Sequence, residues 1–259
     1  MRSLLFALLD KWRSPPPKPE KVGWLGSAAY AHRGLHSPGV PENSLSAFRA
    51  AIDRGMGIEC DVQRSLDGQA MVFHDFELDR LTGEAGALGN RNADDLARIE
   101  LSGSADRIPT LKRMLAEVAG RVPILIEIKS KGSSFKHAGS LCQAVRRTLE
   151  GYPGPHAVMS FDPRVVRWFA ERSPLTVRGL VVTEENAKAL RGKIRRRLSL
   201  WAAKPDFLAY DIRDLPSRFA AGQRRRGLPV LTWTVRNNDH RDRAAEHADA
   251  PIAEGGGVA

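Results

Sequence analysis

The feature that most constrains this chain is a repeated alternation of short apolar runs with helical patterns. Strand-like runs fall at 28–32, 57–62, 70–74, 123–129, 157–161, 178–182, 207–211 and 230–235. Helical stretches separate most of them. Leu45–Arg54 follows the candidate caps Asn43 and Ser44. Leu111–Ala119 follows Thr110, carries Leu111, Met114, Leu115 and Val118 on one face, and stops at Gly120. Asp162-Pro163 sets a cap and a first-turn proline before Val165, Val166 and Phe169. Strands alternating with helical crossovers build parallel sheets. Eight of them in 259 residues predict an α/β fold closed as a (β/α)8 TIM barrel rather than an open doubly wound sheet.

One connection breaks the alternation. Only Gln63–Gln69 separates the second and third runs, too short for a parallel crossover, and Asp67-Gly68 is a hairpin-turn signal. A two-residue turn there sets Asp61 opposite His74, a carboxylate beside an imidazole. A tight helix-free loop between parallel strands is the alternative, and spacing leaves both open. The stretch from Phe76 to Ile108 is long and polar, and reads as an insertion over one mouth of the barrel. The expectation is therefore a distorted barrel domain over 27–259 with a small insertion after the third strand, at about 76–108. Residues 1–26 form an N-terminal tail.

That tail holds Leu4, Leu5, Leu8, Leu9 and Trp12 at helical spacing, flanked by Arg2, Lys11 and Arg13. The apolar stretch is too short to span a bilayer, and no signal-peptide cleavage pattern follows it closely. Such a helix either lies on a membrane surface, a peripheral contact, or docks on the protein body. Pro15-Pro16-Pro17 then ends it as a stiff spacer. The net charge of +10 fits a solvated arginine-rich surface, and equally attraction to anionic substrates or membranes. Much of the excess lies in 193–197 and 224–226, which read as solvent-facing helix ends. No aromatic-interleaved basic motif points to nucleic acid. The two cysteines, Cys60 and Cys142, are far apart and read as reduced and structural, which suits a cytoplasmic location.

The chemistry-bearing residues cluster between Ala31 and Gly86. Glu59 and Asp61 are two apart on a strand and share one face. Glu127 and Lys129 repeat that spacing at the end of a strongly apolar run. Inward carboxylates are costly unless paired or metal-bound. Three of them without a cysteine partner suit Mg²⁺ or Ca²⁺. A buried salt-bridge network among Glu59, Asp61, Arg33 and Lys129 is the other reading. His32 and His74 each end a strand, where imidazoles can do acid–base work. Arg33 and Lys129 can clamp a phosphate, and Gly34 leaves room for an anion. Glu42-Asn43-Ser44 reads mainly as a helix start. Trp233 and Phe161 are either core aromatics or stacking surfaces for a substrate.

Together these residues resemble the glycerophosphodiester phosphodiesterase family. The likeness rests on His32-Arg33-Gly34, Pro41-Glu42-Asn43-Ser44, Ile58-Glu59-Cys60-Asp61-Val62, Asp67-Gly68 and His74-Asp75. It continues through Leu78 to Gly86, Glu127-Ile128-Lys129, Ser160-Phe161 and Trp233-Thr234-Val235, in family order. The resemblance implies a distorted barrel whose site lies at the strand C-terminal ends, with His32 and His74 as acid–base residues. It implies Glu59, Asp61 and Glu127 as ligands of one divalent cation, Mg²⁺ or Ca²⁺. Arg33 and Lys129 then contact phosphate, and Trp233 lines the substrate pocket. Ser44 and Ser65 stand where threonine is commoner, and Arg236 where asparagine is frequent. The implied reaction is hydrolysis of a small-molecule glycerophosphodiester to glycerol 3-phosphate and an alcohol. Lysophospholipase D-like action on membrane lipids is a second reading, and a non-catalytic membrane-associated phosphate-binding protein a third.

Overall fold

The computed structural model describes residues 2–132, 134–185 and 187–258. Among them the strands are β1 (Tyr30–Ala31), β2 (Gly57–Arg64), β3 (Ala70–Val72), β4 (Ile124–Ile128), β5 (His156–Ser160), β6 (Val177–Val182), β7 (Phe207–Asp211), β8 (Val230–Val235) and β9 (Ala250–Ala253). The α-helices are α1 (Arg2–Arg13), α2 (Pro19–Val22), α3 (Leu45–Asp53), α4 (Ala93–Leu96), α5 (Leu111–Val118), α6 (Lys136–Leu149), α7 (Pro163–Arg172), α8 (Leu190–Ala203), α9 (Arg218–Arg225) and α10 (Asn238–His247). Eight of the strands run in parallel pairs and alternate with helices, the (β/α)8 class that the sequence predicts. The chain divides into two compact units, Tyr30–His156 and Met1–Ala29 with Ala157–Ala259.

In the unit Tyr30–His156, β2 is the central strand. It pairs in parallel with β1, Ala31 facing Ile58, and with β4, Ile58 facing Ile124 through Val62 facing Ile128. Seven of its eight residues are buried. Ile58, Cys60 and Val62 are fully enclosed on one side of the pleat, and Glu59, Asp61 and Gln63 alternate with them. Helix α3 starts where Ser44 accepts the Ala47 N–H, and α5 where Thr110 accepts the Arg113 N–H. Gly34 has a packing reason rather than an open face for an anion. Its φ is +79°, and an added Cβ would lie 2.8 Å from the Ala47 Cβ and 2.9 Å from the Phe48 ring.

The hairpin is real, with a register one residue from the expected one. Strand β3 runs antiparallel to β2 with Val62 facing Val72. Leu66, Asp67 and Gly68 form a three-residue loop closed by Ser65 and Gln69, with Gly68 at φ +89°. The Phe73 N–H therefore bonds the Asp61 carbonyl, and His74 falls one position beyond. The Asp67 carboxylate also caps the backbone N–H of Ala93. The insertion that follows shares a buried cluster with β3. Leu78, Leu88, Ala93, Leu96, Leu101 and Ile108 pack with Met71 and Phe73.

In the other unit, β5 to β9 pair in chain order, all parallel. Strand β9 was not among the eight expected; it is short, small-residued and carries Pro251. The eighth parallel strand is thus β9, and β3 is the antiparallel extra. The expectation for the first basic run also fails. Residues 193–197 lie inside α8 rather than at its end, and Arg196 is buried with its guanidinium 2.9 Å from Glu184. The second run does close α9, where Arg224 bonds Asp249 and Arg226 bonds the Ser14 carbonyl. Helix α1 docks through buried Asp10, which accepts from Trp201 Nε1 at 2.8 Å and Gln223 Nε2 at 2.9 Å. The side chains of Leu4, Leu5 and Leu8 lie outside the described residues. No helix among the described residues is long and apolar enough to cross a membrane. Cys60 and Cys142 are buried and are not in disulfides.

Candidate active site

The pleat of β2 and its register with β4 build the site. Glu59 and Asp61 share a face, and Asp61 sits directly opposite Glu127. One oxygen from each of Glu59, Asp61 and Glu127 lies within 4.8 Å of the other two. All three residues are buried, at 1%, 1% and 8% exposure, so their mutual repulsion has little water to screen it. Two cations oppose them. Lys129 Nζ is 2.6 Å from Glu127 and 2.8 Å from Asp61, and Arg33 Nε is 3.3 Å from Asp61. The salt-bridge network read from the sequence forms around Asp61 and takes in Glu127 through Lys129, whereas Glu59 meets it at the Arg33 backbone N–H; three carboxylates thus face two cations.

The titration directions follow from that imbalance. Burial pushes Glu59 well above the usual carboxylate range, and Asp61 and Glu127 push it further. Burial also raises Glu127 despite Lys129. For Asp61 the upward push of burial is overcome by Lys129, Arg33 and His74, and its pKa falls below the ordinary value. Burial works against the charged form of Lys129 too, but Asp61 and Glu127 hold its pKa up.

Backbone geometry helps fix the donors. Arg33 and Asn43 both adopt left-handed φ, 58° and 57°. For an arginine that conformation costs on the order of 1–3 kcal/mol. It is held here by the Arg33 N–H donating to Glu59 at 3.0 Å and by the Asn43 N–H donating to the Arg33 carbonyl at 2.8 Å. Asn43 is not a helix cap. Its amide donates to the Asp61 carboxylate at 3.0 Å, and its side-chain oxygen accepts the Asp61 N–H at 3.2 Å.

Both sequence-flagged imidazoles sit beside this cluster. His32 Nε2 is 4.0 Å from Glu59. His74 Nδ1 is 2.6 Å from Asp75, which Arg80 in turn grips at 2.5 Å. Burial tends to raise Asp75, but Arg80 and His74 keep it ionised below the usual range. An ionised Asp75 places the His74 proton on Nδ1 and leaves Nε2 basic. Burial lowers the His74 pKa, and the raising influence of Asp61 does not restore it. Gln63 Nε2 donates to the His74 carbonyl at 2.8 Å and also to the Asp75 carbonyl.

The residues that the sequence reading missed are Asn43, Asp75, Arg80 and the bridging part of Glu42. Glu42 Oε1 is 2.8 Å from both Arg33 and Arg80. Asp75 directly follows His74, which was a usable signal; Arg80 had none beyond the resemblance. Trp233 and Phe161 form an edge-to-face pair with centroids 5.4 Å apart, and Trp233 Nε1 donates to the Ala209 carbonyl. Phe161 is 47% exposed, so it is not a core aromatic.

Fold and site together define a barrel enzyme with a carboxylate cluster flanked by imidazoles. The profile of the Glycerophosphoryl diester phosphodiesterase family matches residues 32–252, and the chain belongs to that family and is a phosphodiesterase of it. The chain is 25% identical over 225 residues to a glycerophosphodiester phosphodiesterase of Caldanaerobacter subterraneus, spanning 82% of this chain and 87% of the relative. It is 36% identical over 130 residues to one from Bacillus altitudinis, spanning 48% and 52%. A solved Oleispira antarctica phosphodiesterase, in complex with the product sn-glycerol-3-phosphate, shares the fold with a TM-score of 0.76. That match has 22% identity and covers 87% of this chain and 92% of the other. The Thermotoga maritima glycerophosphodiester phosphodiesterase matches with a TM-score of 0.70 at 25% identity, covering 87% and 93%.

Proposed function

We propose that this chain hydrolyses glycerophosphodiesters to sn-glycerol 3-phosphate and an alcohol, using one divalent cation, Mg²⁺ or Ca²⁺. The observation that carries the reading is the convergence of Glu59, Asp61 and Glu127 beside His32 and His74. An all-oxygen donor set with more carboxylates than cations fits a hard divalent ion. Glu59, Asp61 and Glu127 would hold it. When bound, the cation supplies positive charge against the negative charge that grows on the phosphate oxygens.

The protein's own groups do the rest. Arg33 and Lys129 attract the phosphate and orient it, one as a planar fork and one as a point charge. One imidazole takes the proton of the attacking oxygen, and the other delivers a proton to the leaving alkoxide. The attacker is either water, which gives sn-glycerol 3-phosphate directly, or the substrate's own glycerol hydroxyl, which gives a cyclic phosphodiester that water then opens. Asp75 keeps the His74 ring turned so that Nε2 is the transferring atom. Asn43 fixes the Asp61 carboxylate, which keeps the donor set aligned.

The reading is tested by assaying release of the head-group alcohol from glycerophosphocholine, glycerophosphoethanolamine and a lysophospholipid, with the phosphorylated product identified as sn-glycerol 3-phosphate for the two diesters or lysophosphatidate for the lysolipid. Release from the two soluble diesters at a higher rate than from the lysolipid supports it. A preference for the lysolipid favours lysophospholipase D-like action instead, and no release from any substrate refutes both.

A further inference from the structure

Helix α8 carries its burial pattern inverted. Its enclosed side contains a charged residue, Arg196, with Leu200 and Ala203. Three of its large aliphatic residues face solvent: Leu190 at 73% exposure, Ile194 at 48% and Leu198 at 54%. Spaced four apart, they form one stripe along the helix. A stripe of this kind on a soluble surface is a liability unless something covers it.

The charge around the stripe says what covers it. Helix α8 contains four arginines, one lysine and no acidic residue. On a 100° helical wheel Arg191 and Arg195 flank the stripe on one side, and Lys193 and Arg197 on the other. The exposed Lys188 lies just ahead of the helix. Arg196 is neutralised inward by Glu184, and Arg197 packs on the Phe6 ring and Asp10. Arg191, Lys193 and Arg195 remain exposed. Helix α1, docked on α8 through Asp10 and Trp201, adds Trp12 at 72% exposure with the Arg13 guanidinium 4.6 Å over its ring. An apolar stripe between cationic borders, with an amphipathic aromatic nearby, is the pattern of a helix lying in the plane of a bilayer interface.

We infer that the Leu190–Ile194–Leu198 face of α8 is a docking surface for an anionic lipid bilayer. The three aliphatic side chains enter the headgroup boundary, and Arg191, Lys193 and Arg195 meet anionic headgroups. This binding is separate from turnover at the carboxylate cluster, so neither stands or falls with the other.

The test is sedimentation of the full chain with vesicles of phosphatidylcholine alone or mixed equally with phosphatidylglycerol. Binding is expected only to the mixed vesicles, and it is expected to weaken as salt rises. The triple variant Leu190→Ser, Ile194→Ser, Leu198→Ser removes solvent-facing groups only. It is expected to lower vesicle affinity by about tenfold or more, with release of sn-glycerol 3-phosphate from soluble diesters unchanged. Arg191→Glu with Arg195→Glu is expected to abolish the preference for anionic vesicles, and serves as a second arm if the triple variant misfolds. Wild-type binding to neither vesicle overturns the inference, as does undiminished binding by both variants. A wild-type dimer in lipid-free solution that the triple variant converts to monomer also overturns it, since a second copy then covers the stripe.

Discussion

Asp75 binds His74 Nδ1 at 2.6 Å, and the carboxylate is itself fixed by Arg80, which reaches it from the insertion at 2.5 Å. The same guanidinium bonds Glu42, and Glu42 bonds Arg33. The chain His74–Asp75–Arg80–Glu42–Arg33 therefore ties the His74 ring to the Arg33 guanidinium, the groups to which the proposed mechanism gives proton transfer and phosphate contact. It also gives the insertion a task beyond covering surface.

The first prediction concerns that chain. Asp75→Asn keeps the shape and removes the charge that places the His74 proton on Nδ1. Turnover is expected to fall by roughly 10² to 10⁴-fold with KM little changed. Arg80→Gln leaves Asp75 in place but less fixed, and about a tenfold loss in kcat is expected. Steady-state kinetics on glycerophosphocholine separate the two; a rise in KM with kcat intact in both variants speaks against a positioning role.

The second prediction concerns the acid–base pair. His32→Ala and His74→Ala are each expected to cut turnover by about 10² to 10⁴-fold while the fold survives, because general acid–base assistance is of that size. Circular dichroism alongside the assay checks both halves. Wild-type activity in either variant removes that imidazole from the mechanism.

A third follows from the titration of the carboxylates. Glu59 and Glu127 have raised pKa values, because burial and their neighbours disfavour charge. The metal-free folded chain therefore binds protons that the unfolded chain does not. That stabilisation is complete below the unfolded carboxylate values and is lost as pH rises through the raised folded ones. Asp61 acts in the opposite sense, its depressed value giving stability that is lost only on acidification. A divalent cation competes with the protons on Glu59 and Glu127. Its effect on melting temperature is expected to grow as pH rises above the ordinary carboxylate range and through the raised values of Glu59 and Glu127. Calorimetric scans with and without Mg²⁺ or Ca²⁺ measure it, and a shift that shrinks with rising pH contradicts the assignment of these ligands.

A fourth concerns the N-terminal helix. Asp10→Ala leaves Trp201 Nε1 and the Gln223 amide without their buried acceptor. A loss of about 1–3 kcal/mol in unfolding free energy is expected from denaturant titration. No measurable loss means that the Asp10 bonds to Trp201 and Gln223 do not stabilise the unit.

Much of the site was legible because it obeys strand periodicity. Glu59 and Asp61 had to share a face, and the charged end of the Ile124–Ile128 run marked Glu127 and Lys129. What was not legible has no period. Arg80 meets Asp75 and Glu42 through a folded insertion, and Asn43 reaches Asp61 only because its backbone turns left-handed. The fold class was readable from the alternation, yet the count of eight rested on the wrong eighth strand. Strand β3 carries ordinary strand residues, whereas Ala250–Ala253 is brief and interrupted by Pro251. The register slip at Asp67-Gly68 arose because a glycine with positive φ serves a two- or a three-residue loop equally well.

The most direct test of the central claim is release of sn-glycerol 3-phosphate from glycerophosphocholine by protein stripped with EDTA, before and after Mg²⁺ or Ca²⁺ is restored. The expected result is loss of activity on stripping, recovery with the cation in wild type, and no recovery in Glu59→Gln or Asp61→Asn. Full activity in EDTA, or a wild-type response in those variants, would contradict the account.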